Sequence, residues 1–268
     1  MISPMTSSVH IQSLHVYPLK SARGIDLAQS KIGPRGLLHD RHWMLIDAAG
    51  RFITQRTQPI LATLTTAITT DGLTLSHPQV GEINITQPEP LGFGLPRRRV
   101  SIWRREHAAL DAGDAAADYF SRLLGFEARL VSALEANFPD GYPLLVCNAA
   151  SLADLNARLP APLPMNRFRP NLVLQGLEPW DEDRIAELVI GSVRLRLVKP
   201  CTRCVITSLD QMTGSSDIDP LPVLRRFRYD AELKGVTFGE NAELRNGNGA
   251  VLSVGAAVEV IWKRASGR

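Results

Sequence analysis

Two of the three cysteines, Cys201 and Cys204, flank Thr202 and Arg203 in the stretch KPCTRCVITSLDQMTG. Three chemistries use this spacing. A structural zinc site needs four ligands, and the chain has no second CxxC; the best candidates to complete it are His39 and His42 in LLHDRHW. A dithiol redox pair sits at a strand-to-helix junction, where the helix N-terminus stabilises the thiolate. The residues that follow, VITSLD, read as β instead. The third possibility is a single thiolate in a cationic pocket sized for a large anionic cofactor. Arg203 lies between the cysteines and Lys199 just before them. Nearby cations favour thiolate, the form that ligates soft metals. Two cysteines buried merely as small hydrophobes do not explain those neighbours. Cys147, inside an apolar strand, reads as packing.

The elements that must position these residues belong to a chain of 268 residues, 44% hydrophobic and 21% charged, with a net charge of +3. That composition is of the soluble globular kind and carries no expectation of specific nucleic-acid binding. No apolar run reaches the roughly 18 residues of a membrane span, and MISPMTSSVHIQ has no leader pattern, so a cytoplasmic protein without a membrane span is expected. An odd, small cysteine count points to reduced thiols. Arginine is concentrated in PRRRVSIWRR and LRRFRYD. Such patches are ordinarily solvated faces, although Arg97, Arg98 and Arg99 are a candidate docking surface for a protein partner.

Residues 11–100 read mainly as strands, with turns at Ala48 to Gly50 and at Asp71-Gly72. Helices are expected over residues 111–125, with an aspartate cap and a glycine stop, and over 148–159. Further strands follow the Pro-rich PAPLPMN: FRPNLVLQG, RIAELVIGSVRLRLVKP, CVITSLD, and a terminal pair, AVLSVG and AVEVIWKR, after a turn at residues 246–249. PLPVLRRFR reads as a short helix. The class is mainly β with some α: a β-rich barrel with helices packed outside, preceded by a smaller β domain. Trp43 and Trp180 read as core or domain-contact residues.

KPCTRCVITSLDQMTG, with RFRPNLVLQG before it, resembles the signature of MOSC-domain proteins. LHVYPLKSARGIDL and GLLHDRHWMLIDAAGRFITQRTQP are similar to the β-barrel domain that precedes MOSC in amidoxime-reducing components and YcbX-like proteins. The resemblance implies an N-terminal MOSC β-barrel-like domain over residues 1–105 and a MOSC β-barrel with peripheral helices over residues 106–268. It implies molybdenum cofactor as the bound group, with Cys204 as the metal ligand. Lys20, Ser21, Arg41, Arg169, Asn171, Thr202 and Arg203 are then cofactor contacts, because guanidinium and ammonium groups suit a pterin phosphate. The resemblance matches Asp140 to an acidic position near the metal, implying a catalytic role in orienting substrate or relaying a proton, while its own residue type and setting equally suit a turn; Gly141 and Tyr142 depart from the small hydroxyl residues of the family.

The implied reaction is two-electron reduction of small N-hydroxylated compounds. YcbX-like proteins often append a ferredoxin domain; with no such cysteines before Arg268, no iron–sulfur cluster is expected in this chain, and electrons are expected from a separate donor of ferredoxin or flavin reductase type. The alternative is a protein that holds molybdenum cofactor, or carries sulfur on a cysteine, without reductase activity.

Overall fold

The structure is a computed structural model and describes residues 8–88, 97–102, 105–134, 137–138 and 141–264. The fold is mainly β with three α-helices among the described residues. Its largest sheet has nine strands. From one edge the path runs Glu259–Trp262, Ile185–Ile190, Val193–Thr202, Gly235–Asn246, Leu144–Asn148, Leu172–Gln175, His10–Val16 and Ile25–Leu27, with Tyr229–Asp230 paired to Gly235–Asn246. Strand alternation gives the sheet its buried side: Val193, Leu195 and Leu197 point inward, while Arg194 and Arg196 pair with Glu187 and Glu243. That row joins Ile11, Leu14, Leu172 and Leu188 in one core. His10–Val16, from the start of the chain, therefore belongs to the same sheet as the cysteine-bearing strand Val193–Thr202.

A second sheet orders Trp43–Asp47, Ala128–Ala133, Arg105–Asp111 and Arg97–Ile102. The helix Asp114–Leu124 lays Tyr119, Phe120 and Leu123 into a second core with Leu19, Trp43, Leu45 and Leu130. The expected domain boundary near residue 105 falls in the hairpin between Arg97–Ile102 and Arg105–Asp111, whose sheet continues to Ala133.

Several local expectations change. The first helix starts at Asp114 behind Gly113. Asp111 does not begin it: its carboxylate accepts from the Gly113 N–H and binds the guanidiniums of Arg98 and Arg129. Gly125 ends that helix in the left-handed region, and Asn148 caps the second, Ala149–Asn156. The terminal strands do not pair with each other. Val251–Ser253 joins Gln29–Gly33, and Glu259–Trp262 joins Ile185–Ile190. VITSLD is not a strand. Val205–Ser208 is a 3₁₀ turn closed by Thr207 N–H and Oγ1 on the Cys204 carbonyl. The ladder to Gly235–Asn246 ends at the pair Thr202 with Thr237, and β propensity without a partner strand does not extend a sheet. Arg98 is tied to Asp111 and Arg99 to Glu106, so two arginines of the proposed docking patch already have carboxylate partners.

Two features position the cysteines. Between Leu197 and Lys199 the strand carries one extra residue against Ala242 and Asn241, and between Pro200 and Thr202 the partner strand carries the surplus. Such bulges re-aim side chains. Beyond the turn, buried Arg167 donates to the Ser208 carbonyl, Asp210 and Asp217, anchoring the loop over residues 208–217.

Opposite Pro200 lies Glu240, fully buried, with neither carboxylate oxygen hydrogen-bonded among the described residues. Burial raises its pKa to about 8; Lys263 and Arg228 lower it, and Asp183 and Glu182 add to the rise. Glu182, also fully buried, is raised to about 7 by the same desolvation, despite bonds from Ser151 and Asn148. The folded protein therefore holds these protons more tightly than the unfolded chain. Their contribution is fully present below about pH 4.5 and is lost as pH rises through about 7 to 8. Thermal denaturation of wild type is expected to show Tm falling between pH 5 and 8, by about 2–4 °C for each kcal/mol lost. Glu240→Gln should flatten that slope; an unchanged slope would show Glu240 ionised in the folded state.

Candidate cofactor site

Where the N-terminal segment crosses the large sheet, a cavity of about 450 Å³ opens beside the cysteines. All eight residues named as candidate cofactor contacts line it. Lys20 and Ser21 arrive on the segment after His10–Val16, and Arg41 on the turn before Trp43–Asp47. Arg169 and Asn171 precede Leu172–Gln175, while Thr202, Arg203 and Cys204 end the cysteine strand. Asp140 lies outside the described residues. His39 and His42 do not line this cavity, and no three histidine, cysteine or carboxylate side chains among the described residues group as metal ligands, as a zinc site would need.

The lining is one-signed. Lys20, Arg41, Arg56, Arg169, Lys199 and Arg203 all face it, and no carboxylate does among the described lining residues. Lys20 and Arg169 are 5% and 9% exposed. Such cations need partners, and neutral oxygens are among them. Lys20 Nζ donates to the Phe138 carbonyl at 2.9 Å, and Arg169 Nη1 to the Ala22 carbonyl at 2.7 Å and to Gln211 Oε1 at 3.2 Å. Arg41 Nη1 donates to Asp40 at 2.5 Å and to Asn171 Oδ1 at 3.1 Å.

Asn171 Oδ1 also accepts from Leu145 N–H, and its Nδ2 donates to the His15 carbonyl, so this amide holds Arg41 and joins neighbouring strands. Both guanidiniums lie over the ring of buried Tyr17, at 4.4 Å for Arg41 and 4.2 Å for Arg169. Burial raises the Tyr17 pKa against the pull of the two arginines, keeping the phenol neutral; it donates to the Pro170 carbonyl.

Backbone conformation adds a constraint. Six described non-glycine residues have positive φ, and three of them, Ser21 at 68°, Arg41 at 45° and Arg169 at 55°, line this cavity. Each costs about 1–3 kcal/mol and persists where surrounding contacts enforce it.

Arg203 explains Cys201. Its Nη1 donates to Cys201 Sγ at 3.1 Å and its Nη2 to the Phe168 carbonyl at 2.6 Å. Burial opposes its charge, but the sulfurs of Cys201, Cys147 and Cys204 outweigh burial and raise its pKa. Its buried Nε has no partner among the described residues. Cys147 is fully buried, and burial pushes its thiol well above the ordinary value, as expected of inert packing.

The sequence analysis does not single out Tyr17, Asp40 and Gln211, which hold the arginines, or Arg56 and Asn241, which line the cavity; Tyr142, noted there as a departure from the family, lines it too. Gln211 exchanges amide hydrogen bonds with Gln55, and its carbonyl accepts from Arg23 Nε. QMTG and ITQR therefore meet across the chain, a contact no spacing rule reveals. Trp43 is core, as expected, and Trp180 packs edge-on to Phe227 and Phe238.

Residues 8–127 match the MOSC N-terminal beta barrel domain and residues 133–259 the MOSC domain, so fold and cavity together define a two-part MOSC protein. Over 243 residues the chain is 31% identical to mitochondrial amidoxime reducing component 2 of Homo sapiens, covering 81% of this chain and 72% of that protein. It is 32% identical over 243 residues to mitochondrial amidoxime-reducing component 1 of Mus musculus, covering 81% and 71%. The component 1 of Xenopus laevis is 28% identical over 254 residues, covering 84% and 74%. The chain belongs to the MOSC-domain family that contains these amidoxime-reducing components.

Tyr17→Leu removes the ring that both guanidiniums share, whereas Tyr17→Phe keeps it and loses only the hydroxyl bond. Calorimetry with inorganic pyrophosphate should show affinity weakened about five- to tenfold in Tyr17→Leu and less than about twofold in Tyr17→Phe. Equal weakening in both would show that the hydroxyl, not the ring, organises the site.

Proposed function

We propose that this protein is a molybdenum-cofactor-dependent oxidoreductase that reduces N-hydroxylated compounds with electrons from a separate donor protein. One observation carries the reading: six cations and the Cys204 thiol line a single cavity with no carboxylate among its described lining residues. The donor set fits the group. A thiolate suits a thiophilic metal, guanidinium and ammonium groups suit a phosphate, and the unpartnered buried Nε of Arg203 is a donor still to be used. The names of the relatives supply the substrate class.

When bound, the cofactor supplies the two-electron change that cleaves an N–O bond, so that R–NHOH with two electrons and two protons yields R–NH₂ and water. The protein does the rest. Arg41, Arg169 and Lys20 hold the phosphate end. Their donors are already fixed by Asp40, Asn171, Tyr17 and backbone carbonyls, so little ordering is needed on binding. Thr202 and Arg203 would hold the group beside Cys204, the proposed metal ligand. Cys201 is a positioning residue that shares Arg203 with the Phe168 carbonyl. Asp140 is the acidic group proposed to orient substrate or relay a proton.

Cys204→Ala and Cys201→Ala, produced in a host that makes molybdopterin, test the assignment. Molybdenum content and amidoxime reduction with an artificial electron donor are measured together. Cys204→Ala is expected to lose at least about a hundredfold in turnover, and Cys201→Ala to keep measurable turnover and molybdenum. Loss in Cys201→Ala with retention in Cys204→Ala would reverse the ligand assignment. A molybdenum-loaded wild type inert toward every N-hydroxylated substrate would favour the carrier reading.

A further inference from the structure

The residues that line the cavity differ in exposure. Lys20 and Arg169, both assigned to the cofactor, are 5% and 9% exposed. The paired strands Val193–Thr202 and Gly235–Asn246 form one wall, which carries the cofactor contact Thr202 and, farther along, Lys199 opposite Asn241, both lining the cavity. Lys199 is exposed, and its Nζ lies 5.5 Å from the ring centroid of Tyr142, a half-buried lining residue. Lys199 forms no ion pair among the described residues, whereas Arg194 and Arg196 on the same strand each bind a carboxylate. The bulge between Leu197 and Lys199 places it on this wall. None of these three residues belongs to the set assigned to the cofactor.

We propose that Lys199 and Tyr142, with Asn241, form the substrate subsite, and that it favours aromatic N-hydroxylated compounds bearing a carboxylate or other anionic group over cationic ones. This rests on the reductase reading above and names the substrate class for that site. The chemistry follows from the wall itself. The Tyr142 ring offers a stacking face, and the Lys199 ammonium a point charge beside it. The Asn241 amide donates to the carbonyls of Lys199 and Pro200 at 3.3 Å each, which braces the strand that presents the cation. Four of the other five lining cations, Lys20, Arg41, Arg169 and Arg203, are assigned to the negatively charged cofactor, so Lys199 carries the discrimination at this wall. A cationic substrate meets repulsion from the Lys199 ammonium. An exposed unit charge is worth about 1 kcal/mol at close range in water, a factor of about five, and salt screens it.

The test uses benzamidoximes that differ only at the para position: carboxylate, hydrogen or trimethylammonium. Each is assayed with the molybdenum-loaded protein, and binding of 4-carboxybenzamide, which carries no N–O bond to reduce, is measured by calorimetry. Wild type is expected to show KM rising in the order carboxylate, hydrogen, trimethylammonium, with the spread shrinking as salt is raised. Lys199→Glu should raise KM for the carboxylate compound about tenfold, lower it for the trimethylammonium compound, and weaken 4-carboxybenzamide by a similar factor. Lys199→Arg should restore the wild-type order. Lys31→Glu, the same charge change on a strand outside the cavity, should leave the order as in wild type.

An order unchanged by Lys199→Glu, with 4-carboxybenzamide bound as in wild type, overturns the subsite. An order changed equally by Lys31→Glu reduces the effect to net charge and also overturns it. Failure of the reductase reading looks different: a molybdenum-loaded wild type then reduces none of the three compounds, and the calorimetric comparison still decides the charge preference of the wall.

Discussion

Like charges held together in a half-closed cavity repel, and that repulsion must be met before any ligand arrives. Here the means are specific. Arg41 and Arg169 share the face-rich electron density of Tyr17, while Asp40, Asn171, Gln211 and backbone carbonyls take up their N–H groups. An arginine paired wholly with carboxylates has little attraction left for an anion. One held also by neutral oxygens and an aromatic ring keeps its charge and its direction. The left-handed backbone at Ser21, Arg41 and Arg169 belongs to the same arrangement, since it turns three side chains into one cavity from segments that otherwise diverge.

The large sheet makes that arrangement possible. His10–Val16 pairs with Leu172–Gln175, bringing the segment of Lys20 beside that of Arg169 and Asn171. Leu172–Gln175 in turn lies parallel to Leu144–Asn148, which pairs with Gly235–Asn246, the neighbour of the cysteine strand. The cavity is thus closed by strand pairing across the whole length of the chain. The Gln55 and Gln211 amide pair links the second sheet's side of the chain to the loop after the cysteines. Positioning of the cavity's cations and stability of the fold consequently draw on the same hydrogen bonds.

Charge is sorted across the structure. The cavity lining is cationic, whereas the buried carboxyls Glu182 and Glu240 lie with Asp183, Arg228 and Lys263 in a separate cluster. Glu240 stands opposite Pro200, one residue from Cys201. A protonated Glu240 adds no negative charge close to the cysteine strand, and its neutrality preserves the one-signed character of the site.

Much of this was legible before any coordinates. Alternation in VRLRLVKP gave the strand and glycine at residue 125 the end of a helix, because these are local effects of sterics and hydrogen bonding. The motifs around Lys20, Arg41, Arg169 and Cys204 marked residues that share one cavity. The turn at Val205–Ser208 was misread as strand, since β-branched residues favour extended backbone only where a partner strand exists. Tyr17 and Gln211 carry no local signal at all: a tyrosine beneath two guanidiniums looks, in sequence, like any core tyrosine. The sequence by itself determined that several cations and a thiol are present, and most of the segments that form strands. Only the tertiary structure decided which cations share one cavity and what neutralises or spares their charge, because those depend on contacts between segments more than a hundred residues apart.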